Sequence, residues 1–502
     1  MGKKEKKHTR VKKKESFFTF IFSKNQRIRL ISIIGFYVIV YIIMKYLYPF
    51  PDGISDSGGY VLAASMNEYR GFRPFGYSKF LIFLHGISSS VSFVVFTQYL
   101  IHVLSTIFFL YTIKYFFRIK NQITESAFDI LSIGSILTIY LTNSILSDSL
   151  FTSMTLIWLA AGIWFIMSEK LSVKIISFLL KALLLSFIIN LRYTGLFYVA
   201  IEIVLILMVL LKTNKPLAIG FSFLVILIAI KTYYRQVERT KDLINIEVFS
   251  GFSGWQAANN ALHAVPYIDL DTDKIKDSEV KEFSIFAKKV DTMLVQDSYK
   301  ATASFLWDKK APLKQYMFYQ IKKKNWVYLR AWTYLGKNVY SKFGTHIMTH
   351  YPFAFTRHYI IPNLLGTLYP KSDQLFTYFK EDAVTEKQWN DWFELEEGTE
   401  IKSRSEIVGE VAKTFPVYRL LLWVLMFTSI IYFLFKKNRK LLSPHQHQTY
   451  WLLVVFVMMY FAFHVYSAPF EIRYVAPIHL AQLAIILISF TNLAIRPTEI
   501  KE

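Results

Sequence analysis

The sequence predicts an all-α integral membrane protein, built as a bundle of about ten transmembrane helices. Of its 502 residues 53% are hydrophobic, and the apolar residues are concentrated in separate runs of about twenty. A helical run of that length matches the hydrocarbon thickness of a bilayer. Lipid offers no hydrogen-bond partners to the backbone, so such runs must be helices rather than open strands.

Charged breaks between the apolar runs set the predicted helix boundaries. The ten predicted spans are 28–48, 92–113, 128–146, 149–168, 174–190, 193–211, 216–231, 417–435, 450–467 and 474–495. A further apolar stretch, from Phe80 to Ile87, is too short to cross a bilayer and carries His85. It predicts an interfacial or re-entrant helix.

The distribution of Lys and Arg indicates the orientation of the bundle. The first 29 residues hold eleven Lys and Arg against Glu5 and Glu15, and cytoplasmic segments retain basic residues. With this end in the cytoplasm, every cytoplasmic connection is basic, namely 114–127, 169–173, 212–215, 436–449 and the C-terminal tail. Both termini are therefore expected in the cytoplasm. The run from Ile28 to Tyr48 is longer than a signal-peptide core, so we expect it to remain as the first helix.

The net charge of +22 raises the question of a nucleic-acid partner. The N-terminal tail carries much of this charge without a recognition motif, and a basic tail beside a membrane helix serves orientation and contact with anionic headgroups. We therefore expect the lipid bilayer, and no nucleic acid, as a partner. The sequence has no cysteine, which excludes disulfides, thiolate metal sites and a cysteine nucleophile.

The predicted organisation has two transmembrane parts separated by a large hydrophilic domain. Segment 232–416 has about 185 residues, too many for an unstructured loop, and mixes charge with Trp, Tyr and Phe. It predicts a mostly helical extracytoplasmic domain with aromatic helices at the membrane interface. The predicted parts are the basic tail 1–27, the transmembrane module 28–231 with its outer loop 49–91, the domain 232–416, the C-terminal helices 417–495 and the tail 496–502.

The first outer loop places Asp52 and Asp56 directly after the first helix, next to Gly58 and Gly59. Two carboxylates at a membrane surface suit a base that takes a proton from an acceptor hydroxyl, or a site for a divalent cation. Aspartate and glycine are also ordinary turn residues, and a turn is needed here in any case. Both interpretations remain open.

Four more charged residues lie at predicted outer helix ends. Asp148 opens an apolar helix, where it or Ser147 would act as an N-cap, although ionisable groups at membrane depth also mark functional paths. Arg192 interrupts two apolar runs and suits phosphate or carboxylate, although a lone Arg at a helix end often extends to headgroups. Glu471 and Arg473 precede the last helix, an arrangement typical of a local ion pair of little energetic value.

Common catalytic signatures are absent, including nucleotide-binding, zinc-protease and serine-hydrolase motifs. The spacings of His346, His350 and His358 are compatible with one helical face, which would suit zinc. Pro352 would interrupt that helix, so a zinc site is not expected.

Four short motifs occur in order along these outer segments. The first is “SDSGGYVLAA”, which is followed by “GFRPFGYSKFL”. The others are “SDSLFTSMTLIWLA”, “RYTGL” and “RYVAP”. The polar residues they carry are Asp56, Tyr60, Arg73, Tyr77, Asp148, Arg192, Arg473 and Tyr474.

In their order, spacing and common outer placement, these motifs resemble the polytopic C-type (GT-C fold) glycosyltransferases related to protein O-mannosyltransferases and lipid A aminoarabinose transferases. The resemblance covers residues 28–200 and 417–495 and includes no motif of 232–416. Ser78 and Tyr193 stand where proline is usual. The resemblance implies a GT-C-like bundle in a bacterial cell membrane.

The resemblance implies a donor in which a sugar is attached to a polyprenyl phosphate, and an inverting transfer at the outer face. The acceptor would be a glycan, a lipid or a protein. By resemblance, Asp56 would act as the base or as the orienter of the acceptor, and Asp148 as its supporting acid or metal contact. Asp52, the other carboxylate of the first loop, is the third catalytic candidate. The substrate-binding residues are Tyr60, Arg73, Tyr77, Arg192, Arg473 and Tyr474. Some relatives need a divalent cation, Mg²⁺ or Mn²⁺, and others do not, so the cofactor stays open.

Two other functions fit the same pattern. A transporter or flippase of lipid-linked glycans would hold its substrate near the bilayer midplane. Lys181, inside span 174–190, is an exception that the enzymatic interpretation leaves unexplained. A silent scaffold would bind a partner through domain 232–416. The enzymatic interpretation requires Asp56, Asp148, Arg192 and Arg473 to gather in one polar cavity.

Overall fold

The chain is helical throughout the part that the structure describes. A computed structural model describes residues 15–53, 56–71, 73–119, 121–289, 302–370, 385, 387–401, 403–405 and 407–493. Those ranges contain α-helices with short 3-10 and π segments and no strand, which confirms the prediction of an all-α multi-pass membrane protein. Most of the predicted basic tail and all of the tail 496–502 lie outside the described residues.

Ten helices of the described part are long and apolar enough to cross a membrane. Each overlaps one of the predicted spans, because long apolar runs determine both. They are Lys24–Leu47, Val91–Phe117, Gln122–Thr142, Ser147–Met167, Leu171–Leu191, Tyr193–Leu210, Lys215–Ile244, Phe415–Leu434, Pro444–Ser467 and Ile472–Phe490. The short apolar stretch predicted from Phe80 to Ile87 forms the helix Gly76–His85.

The third and seventh spans differ from their predicted bounds. The third, predicted at 128–146, is divided into Gln122–Ile133 and Ile136–Thr142, because Gly134 ends one helix and the Ser135 side chain caps the next. The seventh, predicted at 216–231, continues to Ile244. Hydropathy locates the edge of the bilayer rather than the end of a helix. A hydropathy pattern therefore does not detect a polar extension of this kind.

A buried ion network surrounds Lys114, which was predicted to lie in a basic connection. Its ammonium pairs with Asp129 and lies 3.5 Å from Glu125, and Arg29 lies 3.1 Å from Asp129 and 3.4 Å from Glu125. The side chain of Lys114 is only 1% exposed. It therefore joins the second span to the third instead of facing solvent.

Between the seventh and eighth spans the chain forms a helical segment, here called the inserted domain, residues 245–414. Its residues 252–354 enclose a core of their own, whereas 360–368 and 389–401 pack on the core of the bundle. Its longer helices are Gly251–Leu262, Ser278–Ala287, Pro312–Lys324, Tyr328–Leu335, Ser341–His350 and Ile361–Leu368. It has its own aromatic core, in which the Trp255 and Trp332 rings stack 3.8 Å apart. Two of its helices touch through glycine, since a Cβ on Gly254 would lie 1.7 Å from the carbonyl oxygen of Gly336. The predicted helical character of this segment is thus confirmed.

Lys181 forms a buried ion pair inside the bundle. Its Nζ lies 2.7 Å from Oε2 of Glu202 on the next span, and both side chains are at most 1% exposed. The ammonium also lies 4.3 Å from the centre of the Trp158 ring. This pair gives the lysine that the sequence left unexplained a neutralising partner.

We expect Lys181→Met to lower the free energy of unfolding by about 3–5 kcal/mol, because Glu202 is then left buried without a counter-charge. The double variant Lys181→Met/Glu202→Leu should recover most of this loss. Unfolding of the detergent-solubilised protein measures both, with exposed Lys170→Met as control. Equal losses in the single and double variants would contradict the pairing.

Candidate functional site

The loop after the first span is fixed to the bundle through Asp52. The backbone NH of Asp52 donates to the carbonyl of Asn143 at 2.8 Å, and its carbonyl accepts from Ile145 at 3.2 Å. The Tyr140 hydroxyl donates to its carboxylate. Asp52 is buried in these contacts and lies outside the ion-pair cluster described below. Asp52 therefore acts as a tether between the first loop and residues 143–145, and its catalytic role stays a prediction.

Asp56 lies four residues after this tether and pairs with two arginines. One carboxylate oxygen accepts from Arg73 of the same loop, and the other lies 3.0 Å from Nη1 of Arg473, which lies in the first turn of the last span. Burial acts to raise the pKa of Asp56, but Arg473 and Arg73 outweigh burial and hold this pKa well below its usual range. Asp56 is therefore ionised in this arrangement and is a weak base.

Asp148 stands in the first turn of the fourth span, Ser147–Met167. The prediction that it or Ser147 caps the helix is wrong, because the N-cap is Leu146 and no side chain caps the first turn. Instead the carboxylate pairs with Arg192 and lies 3.7 Å from Arg473. The partial positive charge of the helix N-terminus adds to this stabilisation of the anion.

Arg473 connects the two aspartates. Beyond its contacts with Asp56 and Asp148, its Nε lies 2.6 Å from Oε2 of Glu471. Its side chain is 9% exposed, so these charges interact in a medium of lower polarity than water. The predicted local ion pair of Glu471 with Arg473 is present, but it is not isolated, because Arg473 is also shared by segments far apart in sequence.

Arg192 does not extend to lipid headgroups, which was the simpler interpretation of its position at a helix end. Its guanidinium is bound to Asp148 and lies 5.3 Å from the ring centre of Tyr474 and 5.8 Å from that of Phe151. Its side chain is 18% exposed. Arg192 is thus directed into the protein rather than toward lipid headgroups.

The predicted tyrosines have different surroundings. Tyr60 shares a hydrogen bond of 3.0 Å with Ser147, and its ring lies 5.7 Å from the guanidinium of Arg73. Tyr474 lies beside Arg192 and Arg473. The hydroxyl of Tyr77 donates to Gln98 at 2.7 Å in the interior of the bundle. Tyr60 and Tyr474 belong to the site, whereas Tyr77 packs behind it.

Most of the cluster lines a cavity of about 870 Å³ between the bundle and the inserted domain, whereas Asp148 is not among the lining residues and contacts the cavity residues Arg192 and Arg473 from behind. Asp56, Arg73, Arg192, Arg473 and Glu471 are among its lining residues. The opposite wall was missed by sequence reasoning, and it consists of polar and aromatic side chains of the inserted domain. They include Phe252, Gln256, Trp307, Tyr328, Trp332 and Lys337.

A smaller cavity of about 350 Å³ adjoins the large one. The two share the lining residues Tyr60, Arg73, Pro74 and Tyr328. Arg73 therefore lies at the boundary between two spaces, one of which contains the carboxylate of Asp56.

The described residues provide no group of three His, Asp or Glu side chains placed to hold a metal ion. Asp56 and Asp148 each already face two arginines. Of the predicted histidines, His346 and His350 stack 4.2 Å apart, while His358 stacks on Tyr267. The helix of the first two ends at His350, before Pro352, as expected. The site residues therefore do not fit the divalent cation considered for the donor phosphate.

Comparison with known proteins gives one match. A family model described as “Domain of unknown function (DUF4149)” matches residues 404–474. The matched segment contains the helices Phe415–Leu434 and Pro444–Ser467 and ends just after Arg473. No curated protein and no solved structure matches the chain.

Gly59 leaves the space in which Arg73 reaches Asp56, since a Cβ there would lie 2.6 Å from Nη1 of Arg73. We expect Gly59→Ala to displace Arg73 and to cost about 1–2 kcal/mol of stability. In an Arg73→Gln background the same substitution should cost little, because the contact is already absent. Unfolding of the four proteins in detergent measures this cycle.

Gly220→Ala is the matched control, because position 220 has open space and reports the gain in helix propensity alone. Equal effects of Gly59→Ala in both backgrounds would show that Arg73 does not depend on Gly59.

Proposed function

We propose that this protein is a membrane glycosyltransferase that moves a sugar from a polyprenyl-phosphate donor to an acceptor by an inverting reaction. The observation that carries the proposal is the convergence of Asp56 and Asp148 with Arg73, Arg192 and Arg473 beside a cavity of about 870 Å³. The resemblance of the motifs that contain these residues to GT-C transferases supports it. A glycan, a lipid or a protein can provide the acceptor hydroxyl.

The arginines suit the phosphate of the donor. Guanidinium groups bind phosphate oxygens through paired hydrogen bonds and stay charged when partly buried. Arg73, Arg192 and Arg473 are now neutralised by Asp56, Asp148 and Glu471. The phosphate of the sugar donor would replace these carboxylates as the acceptor of the same guanidinium hydrogen bonds. Its negative charge grows as the sugar leaves, so the arginines would stabilise the transition state more than the bound donor.

Asp56 is the proposed base. While Arg473 and Arg73 hold it, its pKa is too low for proton transfer. When the phosphate takes over these arginines, the pKa of Asp56 rises because its counter-charges are lost and burial dominates. The acceptor oxygen then attacks the anomeric carbon, its proton passes to Asp56, and the bond from that carbon to the phosphate oxygen breaks. Polyprenyl phosphate leaves, and the configuration at the anomeric carbon is inverted.

The proposal includes an orientation in a bacterial cell membrane. The basic connections at 169–173, 212–215 and 436–449 belong at the cytoplasmic side by the positive-inside rule. The inserted domain and the charge cluster then lie at the outer face, with both termini in the cytoplasm. The donor would enter the cavity from the bilayer.

A transporter or flippase of lipid-linked glycans is the second candidate. The buried pair of Lys181 and Glu202 inside two spans favours it, since intramembrane charges line many transport paths. Against it, the larger charge cluster gathers at helix ends rather than within the spans. A scaffold of the same fold would show neither transfer nor transport.

We expect Asp56→Asn to abolish release of polyprenyl phosphate from a labelled lipid-linked donor in the presence of an acceptor extract, because the proton acceptor is gone. Asp391→Asn, which changes an exposed carboxylate of the inserted domain, is the matched control and should retain turnover. Thermal unfolding would verify that both variants are folded. Wild-type turnover in Asp56→Asn would remove this residue from the mechanism, and translocation of intact donor without sugar transfer would favour the transporter.

The orientation can be tested directly because the chain has no cysteine. A single thiol in Asp273→Cys, on the exposed surface of the inserted domain, should react with a membrane-impermeant maleimide in intact cells. A thiol in Lys212→Cys should react only after the membrane is permeabilised. The reverse pattern would place the inserted domain in the cytoplasm.

A further inference from the structure

The ninth span ends next to the inserted domain, and the domain satisfies its last carbonyl groups. The final carbonyls of any helix lack partners within the helix. Here Nδ2 of Asn260 donates to the carbonyls of Tyr466 and Ser467, both at 3.1 Å. Ser467 is the last residue of the span Pro444–Ser467. A residue 206 positions earlier in the chain thus acts as a C-terminal cap.

Asn363 makes a second and larger set of contacts with the same segment. Its Nδ2 donates to the carbonyls of Val465 at 2.8 Å and Ala468 at 2.7 Å. Its Oδ1 accepts from the backbone NH of Phe470 at 2.7 Å. Both ends of one amide side chain therefore hold the chain as it leaves the helix and turns toward the last span.

The two asparagines are nearly inaccessible to solvent, each about 1% exposed. Water therefore does not readily replace them as partners, and loss of either side chain leaves buried carbonyls unpaired. The asparagines belong to the separate helices Gly251–Leu262 and Ile361–Leu368. Two helices of the inserted domain thus hold residues 465–470, here called the connector, through buried asparagine side chains.

The connector leads directly into the charge cluster. Glu471 follows Phe470, and Arg473 lies three residues after the backbone NH that Asn363 binds. Arg473 contacts Asp56 and approaches Asp148 only if this backbone is held at its present distance from the first loop.

We propose that Asn260 and Asn363 are positioning residues, through which the inserted domain sets the place of Arg473 and so assembles the phosphate-binding cluster. The mechanical part of this inference stands by itself. Its catalytic part rests on the proposed function, because there Arg473 binds the donor phosphate. By linkage, a phosphate ligand that holds Arg473 also strengthens the attachment of the inserted domain.

The first test measures the connector without reference to activity. Ser467→Cys places the only thiol of the chain on the connector, where its reaction rate with a soluble maleimide reports opening. We expect Asn363→Ala to raise this rate about fivefold or more, because three buried hydrogen bonds to the connector are lost. Asn260→Ala should raise it as well.

The matched control is Asn390→Ala. Asn390 is also a buried asparagine of the inserted domain, but it bonds to Thr385 rather than to the connector. Its rate should equal that of the parent. Asn363→Asp keeps the acceptor for Phe470 and loses the donors, so an intermediate rate is expected even if Asn363→Ala folds poorly. Unchanged rates in all Asn260 and Asn363 variants would overturn the inference.

The second test measures whether the connector positions Arg473 for phosphate binding. Decyl phosphate in detergent is the probe, and its binding is measured by calorimetry. Arg473→Gln and Asn363→Ala should both weaken binding about tenfold or more, through the charged hydrogen bonds to phosphate. Normal binding by Asn363→Ala beside weak binding by Arg473→Gln would overturn the positioning role. Failure of the parent to bind, or normal binding by Arg473→Gln, would count against the proposed function, and the maleimide rates would then decide the inference alone.

Discussion

The site depends on the ion pairs that the buried guanidinium of Arg473 makes. A charge removed from water needs neutralising partners close to it, and here they come from three places: Asp56 in the first loop, Asp148 at the start of the fourth span and neighbouring Glu471. The requirement draws together segments that are more than 300 residues apart. The same contact joins the N-terminal spans to the last one, so stability and site geometry have a common origin.

The cluster combines three carboxylates with three guanidinium groups, so its formal charge is balanced. Because these charges balance, the cluster is stable without a bound ligand although it is partly buried. In the proposed function a phosphate would therefore replace carboxylates rather than fill a vacant cationic site, and Asp56 would gain basicity when this occurs. The affinity of the arginines for phosphate and the reactivity of Asp56 would then be two results of one exchange of partners.

Much of the fold is predictable from sequence because the bilayer imposes a length and a polarity on every span, and ten apolar runs record them. The cluster residues Asp56, Asp148, Arg192 and Arg473 are conspicuous for the same reason, as charges next to apolar runs. Local reasoning failed where a partner was distant in the chain. Asp148 stands where a helix cap is expected, but it pairs with Arg192 and lies near Arg473, and the contact between Asp52 and Tyr140 has no local indication in the sequence. The sequence does not indicate that Trp307 and Trp332 line the cavity, because aromatic residues occur throughout that domain.

The pairing of Lys181 with Glu202 also affects how the protein enters the membrane during synthesis. The two residues belong to consecutive spans, Leu171–Leu191 and Tyr193–Leu210, which are joined by a single residue. A lone charge near the centre of an inserting helix costs about 2.5–3.5 kcal/mol at the translocon. If the two spans leave the translocon together as a helical hairpin, each charge meets its partner before either is exposed to lipid. The short corner at Arg192 thus makes this pair of helices a natural unit of co-translational insertion.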